Sequence, residues 1–269
     1  MKNFRWLLAL ALLNTSGFAQ AIDESLESVS SRGVEQRFIL SRPDGAPTAA
    51  LLLFAGGHGK LSLGSMFGRP SIGWGKENNL VRTRKDYAKQ GFLVATIDGP
   101  ADRKKMNAVW RMGSKHAEDI AAVVAFLRQQ ADVPVWAIGT SMGSFSAANA
   151  AVRLDGQVHG LVLTSAVTQS KRQWKIYDDY PNGVMDMDLS RVHGPVLLVS
   201  HAQDGCALTP AADIDRLGNA FSSASTVEKA VFNGGDTPRS DPCKALSYHG
   251  YLGIEQQVVD AIAAFVKAH

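Results

Sequence analysis

The chain has 269 residues, 45% of them hydrophobic and 20% charged, a formal net charge of +3 and a sequence pI near 8.8. This supplies an ample core for one globular domain, with no apparent repeat, low-complexity tract or linker. Removing residues 1–21 would take away Lys2 and Arg5 and no acid, leaving 26 basic against 25 acidic residues. That balance gives no electrostatic basis for a nucleic-acid or anionic-membrane partner.

In chain order, the short basic segment Met1–Arg5 precedes an apolar run from Trp6 to Leu13, and Ala19-Gln20-Ala21 follows as a small-x-small cleavage pattern. The run is too short for a bilayer, which needs about 20 apolar residues. Residues 1–21 therefore read as a signal peptide, and residues 22–269 as one domain that is exported, periplasmic or secreted, with no membrane span in the mature chain. Two cysteines in such a compartment, Cys206 and Cys243, suggest a disulfide, and their spacing fits no familiar metal motif.

Glu35–Leu40 and the apolar run Ala49–Phe54 read as strands, the second buried on both faces, followed by the turn Ala55-Gly56-Gly57-His58-Gly59. Residues 60–75 form a glycine-bearing loop in which Met66, Phe67 and Trp74 either line a cleft or cover a sheet edge. Glu77–Gln90 is expected as an exposed helix and Phe92–Ile97 as another buried strand. Asp98, at the exit of that strand, is expected to bond the amides of its own loop, and Arg103, Lys104 and Lys105 to form solvated surface. Ser114 is expected to cap a helix over Lys115–Gln130, with His116 on the surface of its first turn.

Next comes Gly139-Thr140-Ser141-Met142-Gly143, between the apolar run Val133–Ile138 and the small-residue run Ser144–Ala151. A G-x-S-x-G string at a strand-to-helix junction is a nucleophile elbow, in which a serine hydroxyl stands clear of the sheet on a tight turn. On these residues the sequence resembles the α/β-hydrolase superfamily, and the resemblance covers nearly everything from Glu35 onward. It implies an α/β-hydrolase fold: a mostly parallel central sheet with helices on both faces, here under a short lid. The connection from Ala166 to Val192 has too little apolar helical periodicity for a large cap.

The resemblance makes Ser141 the nucleophile. It makes Asp204, after the strand Pro195–Ser200, the triad acid, and His249, in the loop before the final amphipathic helix, the general base. The chain order Ser, Asp, His is that of this superfamily. No acid directly follows the strand Val158–Thr164, and His201 reads as structural. One oxyanion donor is assigned to Gly57 or His58 and the other to Met142, although many relatives have His-Gly where this chain has Ala55-Gly56.

The implied reaction is cleavage of a small-molecule carboxylic ester through an acyl-enzyme, with no cofactor and no metal. Two alternatives stand beside it. One is a peptidase of the same fold, with Asp178, Asp179 or Asp186 contributing to an amine-binding pocket. The other is a catalytically silent binding module. The oligomeric state is open.

Overall fold

The computed structural model describes residues 21–154 and 156–269. Apart from Ala21, the signal-peptide reading concerns residues outside the described ones. The elements in chain order are β1 (Asp23–Ser31), β2 (Val34–Arg42), β3 (Ala49–Phe54), β4 (Leu63–Met66), β5 (Arg69–Ile72), α1 (Asn79–Arg82), α2 (Arg84–Lys89), β6 (Phe92–Ile97), α3 (Ala108–Met112), α4 (Ser114–Gln130), β7 (Val135–Thr140), α5 (Gly143–Arg153), β8 (Gly160–Thr164), β9 (Val196–His201), α6 (Ile214–Asn219), β10 (Val227–Phe232) and α7 (Glu255–Ala268).

Eight strands form one sheet in the order β1-β2-β6-β3-β7-β8-β9-β10. β2 runs antiparallel to β1 and β6, and the other pairings are parallel. Strands β3, β6 and β7 are buried along their whole length, which is why their sequences are continuous apolar runs rather than alternations. On one face, Ile120, Val123 and Leu127 of α4 and Phe145 and Ala148 of α5 meet Leu52, Ala95 and Ala137. On the other, Tyr87 of α2 and Val258, Ile262 and Phe265 of α7 meet Leu51, Val94 and Trp136. Trp136 is fully buried edge-to-face against Phe265, with ring centroids 5.6 Å apart, and it lies where a Cβ on Gly160 would go. Among the described residues no helix is long and apolar enough to cross a membrane.

Several local expectations are corrected. The segment expected as one exposed helix from Glu77 to Gln90 is two short helices broken at Thr83, with Leu80, Val81, Tyr87 and Ala88 buried against the sheet. Ser114 is the first residue of α4 and caps nothing; Gly113 occupies the cap position. The cap in this region is Asn107, whose Oδ1 accepts from Trp110 N at 2.9 Å at the start of α3. His116 is fully buried, because α3 and α5 cover the first turn of α4. Lys104 and Lys105 are exposed as expected, whereas the Arg103 guanidinium lies 3.8 Å from the Trp110 ring centroid.

Strand β1 and the β4–β5 hairpin were not anticipated. β1 is mostly polar, and it joins β2 through Arg32-Gly33, both at positive φ (54° and 72°), as a two-residue turn between twisted antiparallel strands requires. The side chain of Arg32 fixes the hairpin onto α4 by a two-point bond: Nε to Asp119 Oδ1 at 2.9 Å and Nη2 to Asp119 Oδ2 at 2.8 Å. Asp119 is 1% exposed. Asp119 is buried, whereas Arg32 is partly exposed and also meets Asp102 at 3.7 Å, so Asp119→Asn is expected to lower the unfolding free energy by about 2 kcal/mol in urea titrations. A change below about 1 kcal/mol would mean the pair is effectively solvated.

Candidate active site

The elbow forms as the sequence indicates, and the geometry supplies its reason. β7 delivers Ser141 at φ 53°, a left-handed conformation uncommon for a residue with a side chain, and Ser141 N donates to Thr164 O at 3.0 Å. A Cβ on Gly139 would collide with Gly143 O and Ala147 Cβ, and one on Gly143 with Phe54 O. Gly56 faces Ser141 so closely that a Cβ there would lie 3.0 Å from Ser141 Cβ. The two elbow glycines and Gly56 thus let three backbone segments converge around one hydroxyl.

Asp204 follows β9, and His249 lies in a short 3-10 turn, Tyr248–Gly250, before α7. His249 Nδ1 is 2.9 Å from Asp204 Oδ2, with both side chains buried. Asp204 Oδ1 accepts from Cys206 N at 2.9 Å, which orients the carboxylate. The His249 Nε2 atom is buried without a protein partner, and Ser141 and His249 line the same cavity of about 570 Å³. No Ser141–His249 hydrogen bond is closed in this state; such contacts often tighten only when substrate binds.

Three further residues hold this arrangement. The Thr209 hydroxyl, buried, donates to Asp204 Oδ2 at 2.8 Å and lies 3.1 Å from His249 Nδ1. Ser165 and Tyr251 fix the His249 backbone: Ser165 Oγ donates to His249 O at 3.0 Å, Ser165 N donates to the Tyr251 hydroxyl at 3.0 Å, and that hydroxyl donates to Val199 O at 2.9 Å. Burial pushes the Tyr251 phenol well above its ordinary range, so it remains a neutral donor. Neither Thr209 nor Ser165 carries a motif, and only their distances reveal them.

Cys206 and Cys243 form a disulfide that closes a separation of 37 residues. The bridge joins the loop just after Asp204 to the loop just before His249. Asp98 accepts one amide bond from its own loop, Gly99, as expected, and three from Leu61, Ser62 and Leu63 at the entry to β4, so it ties two segments together rather than one. His201 is buried and structural: Nδ1 accepts from Gln203 N at 3.1 Å, which leaves Nε2–H to donate to Gly234 O at 2.9 Å. Of the three aromatic and thioether candidates in the loop of residues 60–75, only Trp74 lines the cavity; Met66 and Phe67, at the tip of the β4–β5 hairpin, are 60% and 97% exposed. Asp178, Asp179 and Asp186 do not line it either, and Asp186 instead accepts from the Asn182 amide and side chain.

Near Ser141, the backbone N–H groups of Gly57, His58 and Met142 find no acceptor among the described residues. Gly57 has φ 58° and lies under Trp74, which stacks on His58 with ring centroids 3.6 Å apart. His58 Nδ1 accepts from Lys60 N at 3.2 Å, and burial lowers its pKa, helped by the charge of Lys105. Gly57 lines the larger cavity and His58 a neighbouring one of about 410 Å³, where Met106, Val109, Met142, Trp174 and Ile176 make the wall apolar. The connection after β8 carries two 3-10 turns, Gly183–Asp186 and Leu189–Arg191, with Ile176, Val184 and Leu189 buried in the core beneath; it forms a low rim rather than a cap. Among the described residues no group of three or more His, Cys, Asp or Glu side chains is arranged to hold a metal ion.

A strained serine on an elbow, a carboxylate-bound histidine with a free inner nitrogen, and unpaired amides beside them make a serine-hydrolase-type site on an α/β-hydrolase fold. Residues 79–204 match the family described as serine aminopeptidase, S33. A search of curated proteins gives no match. Among solved structures, the chain is similar to an α/β serine hydrolase without lid from Xanthomonas campestris, at 11% identity over 91% of this chain and 94% of that one, with a TM-score of 0.59. It is also similar to a cold-adapted esterase from an Arctic intertidal metagenomic library, at 15% identity over 92% and 95% with a TM-score of 0.59. A third is Porphyromonas gingivalis dipeptidyl peptidase 4, at 14% identity over 93% of this chain and 36% of that one, with a TM-score of 0.61. These likenesses show that the chain has the α/β-hydrolase fold.

Beneath the site, burial and the charges of Arg111 and Arg32 push His116 down to about 3 from an ordinary value near 6.5. Between these values the unfolded chain carries a proton that the folded one refuses. This contribution is therefore fully present above pH 6.5 and is lost as pH falls towards 3, at about 1.4 kcal/mol per pH unit. Urea titrations at pH 4.5 and 7 are expected to show this slope in the wild type and its loss in His116→Gln. Equal slopes would mean that His116 titrates normally. Denatured, unreduced protein is expected to show no titratable thiol, and reduction to destabilise the fold by about 3 to 4 kcal/mol.

Proposed function

We propose that the protein is an exported serine hydrolase that cleaves carboxylic esters, with Ser141, His249 and Asp204 as its triad. The observation that carries this reading is the His249 ring: Nδ1 is bound to Asp204, and Nε2 is buried and unpartnered in the cavity that Ser141 lines. His249 Nε2 takes the Ser141 proton as Oγ attacks the carbonyl carbon. Asp204 keeps the ring in the tautomer that has its acceptor nitrogen facing the serine, and it stabilises the imidazolium that forms. The Met142 amide and one from Gly57 or His58 receive the oxyanion. Collapse expels the alcohol with the proton from His249, and a water activated by the same nitrogen releases the acyl group. The apolar wall next to Met142 suits a hydrocarbon acyl or alcohol group, while Asn78, Lys76 and Lys244 make the larger cavity polar.

A second reading is an aminopeptidase of the same fold. It is favoured by the family match over residues 79–204 and by Glu77, a carboxylate lining the cavity that could receive a substrate amine. Low rims suit both substrates, so the leaving group decides between them.

Fluorophosphonate labelling is expected in the wild type and absent in Ser141→Ala, with His249→Ala slowed by several orders of magnitude. Turnover of p-nitrophenyl esters with little hydrolysis of aminoacyl p-nitroanilides supports the esterase; the reverse supports the peptidase. A folded wild type that neither labels nor turns over would leave a binding module. Thr209→Val removes one buried hydrogen bond to the carboxylate, and kcat is expected to fall about tenfold with KM nearly constant.

A further inference from the structure

Arg111 is fully buried, and it is the only Arg or Lys so classed among the described residues. No carboxylate pairs with it there. Its donors go to neutral oxygens: Nη1 to Ser146 Oγ at 2.8 Å, Nη2 to Ala55 O at 3.2 Å and Gly57 O at 3.3 Å, and Nε to Met106 O at 3.3 Å. Burial lowers its pKa to about 9, which still leaves it charged at neutral pH. An apolar side chain would fill this site without the desolvation cost of a lone cation, so packing alone does not account for it.

Resting on the serine-hydrolase reading above, we propose that Arg111 is a positioning residue that holds the two halves of the oxyanion hole in register. The turn after β3 contains three glycines, Gly56, Gly57 and Gly59, two of them at positive φ (58° and 66°), and such a segment has little stiffness of its own. Arg111 holds the carbonyls of Ala55 and Gly57, which belong to the peptide planes on either side of the Gly56–Gly57 peptide. A trans peptide directs its C=O and N–H oppositely, and no described peptide is cis. Tying Gly57 O to the buried guanidinium therefore turns His58 N–H to the other side, and Gly57 N–H lies between two fixed planes.

The bond to Ser146 carries the same guanidinium to α5, whose N-terminal end supplies Met142 N–H. One rigid, planar group thus spans both sources of oxyanion donors. The turn is shaped around it, since a Cβ on Gly59 would occupy the place of Arg111 Nη2. Without a carboxylate partner, its positive field acts through the polarised peptides on the place where negative charge develops.

The test compares Arg111→Met, Arg111→Lys and Ser146→Ala with the wild type on p-nitrophenyl butyrate, with kcat expressed per site counted by exhaustive fluorophosphonate labelling. Arg111→Met is expected to lose about a hundredfold in kcat with KM within roughly threefold, because a displaced donor acts in the transition state. Arg111→Lys, a point charge that cannot fork to both carbonyls, is expected to recover part of the loss, and Ser146→Ala to lose several-fold. The inhibition constant of a trifluoromethyl ketone, whose serine adduct carries the oxyanion, should rise in proportion to the fall in kcat/KM. Wild-type kcat per labelled site in Arg111→Met overturns the proposal; if that variant fails to fold, the same result in both Arg111→Lys and Ser146→Ala does so. A wild type without Ser141-dependent labelling overturns the serine-hydrolase reading itself, and this proposal with it.

Discussion

The approach of the β7–α5 junction to the end of β3 is the contact on which the site depends. Gly143 lies against the carbonyl of Phe54 and Gly139 against Gly143, so that no side chain fits at either, and Gly56 lies so near Ser141 that a Cβ there would be tightly crowded. That closeness brings the amide of Met142 and those of the β3 turn to the same small region, and it forces Ser141 to φ 53°. A serine in that conformation costs of order 1 kcal/mol or more, and the cost is borne by the surrounding sheet, whose central strands are buried throughout. The strain and the exposure of the hydroxyl have a single cause.

Asp204 and His249 are held in a different way. Both lie on loops, where backbone freedom is greatest, and each is tied down by contacts remote in sequence. The Cys206–Cys243 bridge joins the two loops covalently, the Thr209 hydroxyl bonds the Asp204 carboxylate and lies beside the His249 ring, and the Ser165–Tyr251–Val199 chain fixes the His249 backbone to the ends of β8 and β9. Tyr251 itself is left-handed at φ 59°, which turns the chain sharply from the His249 loop towards α7. The imidazole therefore has restricted freedom before any substrate arrives.

Under the turn after β3 is a buried polar layer that differs in kind from the apolar packing around it. Arg111, Ser146 and His116 share hydrogen bonds, and the two basic groups are neutralised by no carboxylate among the described residues. His116 Nδ1 has no partner and Asn149 has an unpartnered oxygen. A layer this polar reduces stability relative to well-packed hydrocarbon, and it fixes directions that hydrocarbon cannot.

The elbow, the fully buried strands and the amphipathic α7 were legible in the sequence because each rests on local rules: a tight turn needs glycine, a strand covered on both faces needs unbroken apolar residues, and a one-sided helix needs a 3.6-residue period. Asp204 and His249 could be named only through resemblance and chain order. The tertiary structure decided the rest. A polar strand such as β1 becomes a strand because β2 offers it an edge, and Arg32 serves in its turn because Asp119 waits on α4. His116 looked like a surface residue from the polar turn around it, and α3 and α5 buried it. Thr209, Ser165 and Arg111 have no pattern of their own: they act on atoms 40 to 86 positions away, and closeness in space is not written in the order of the chain.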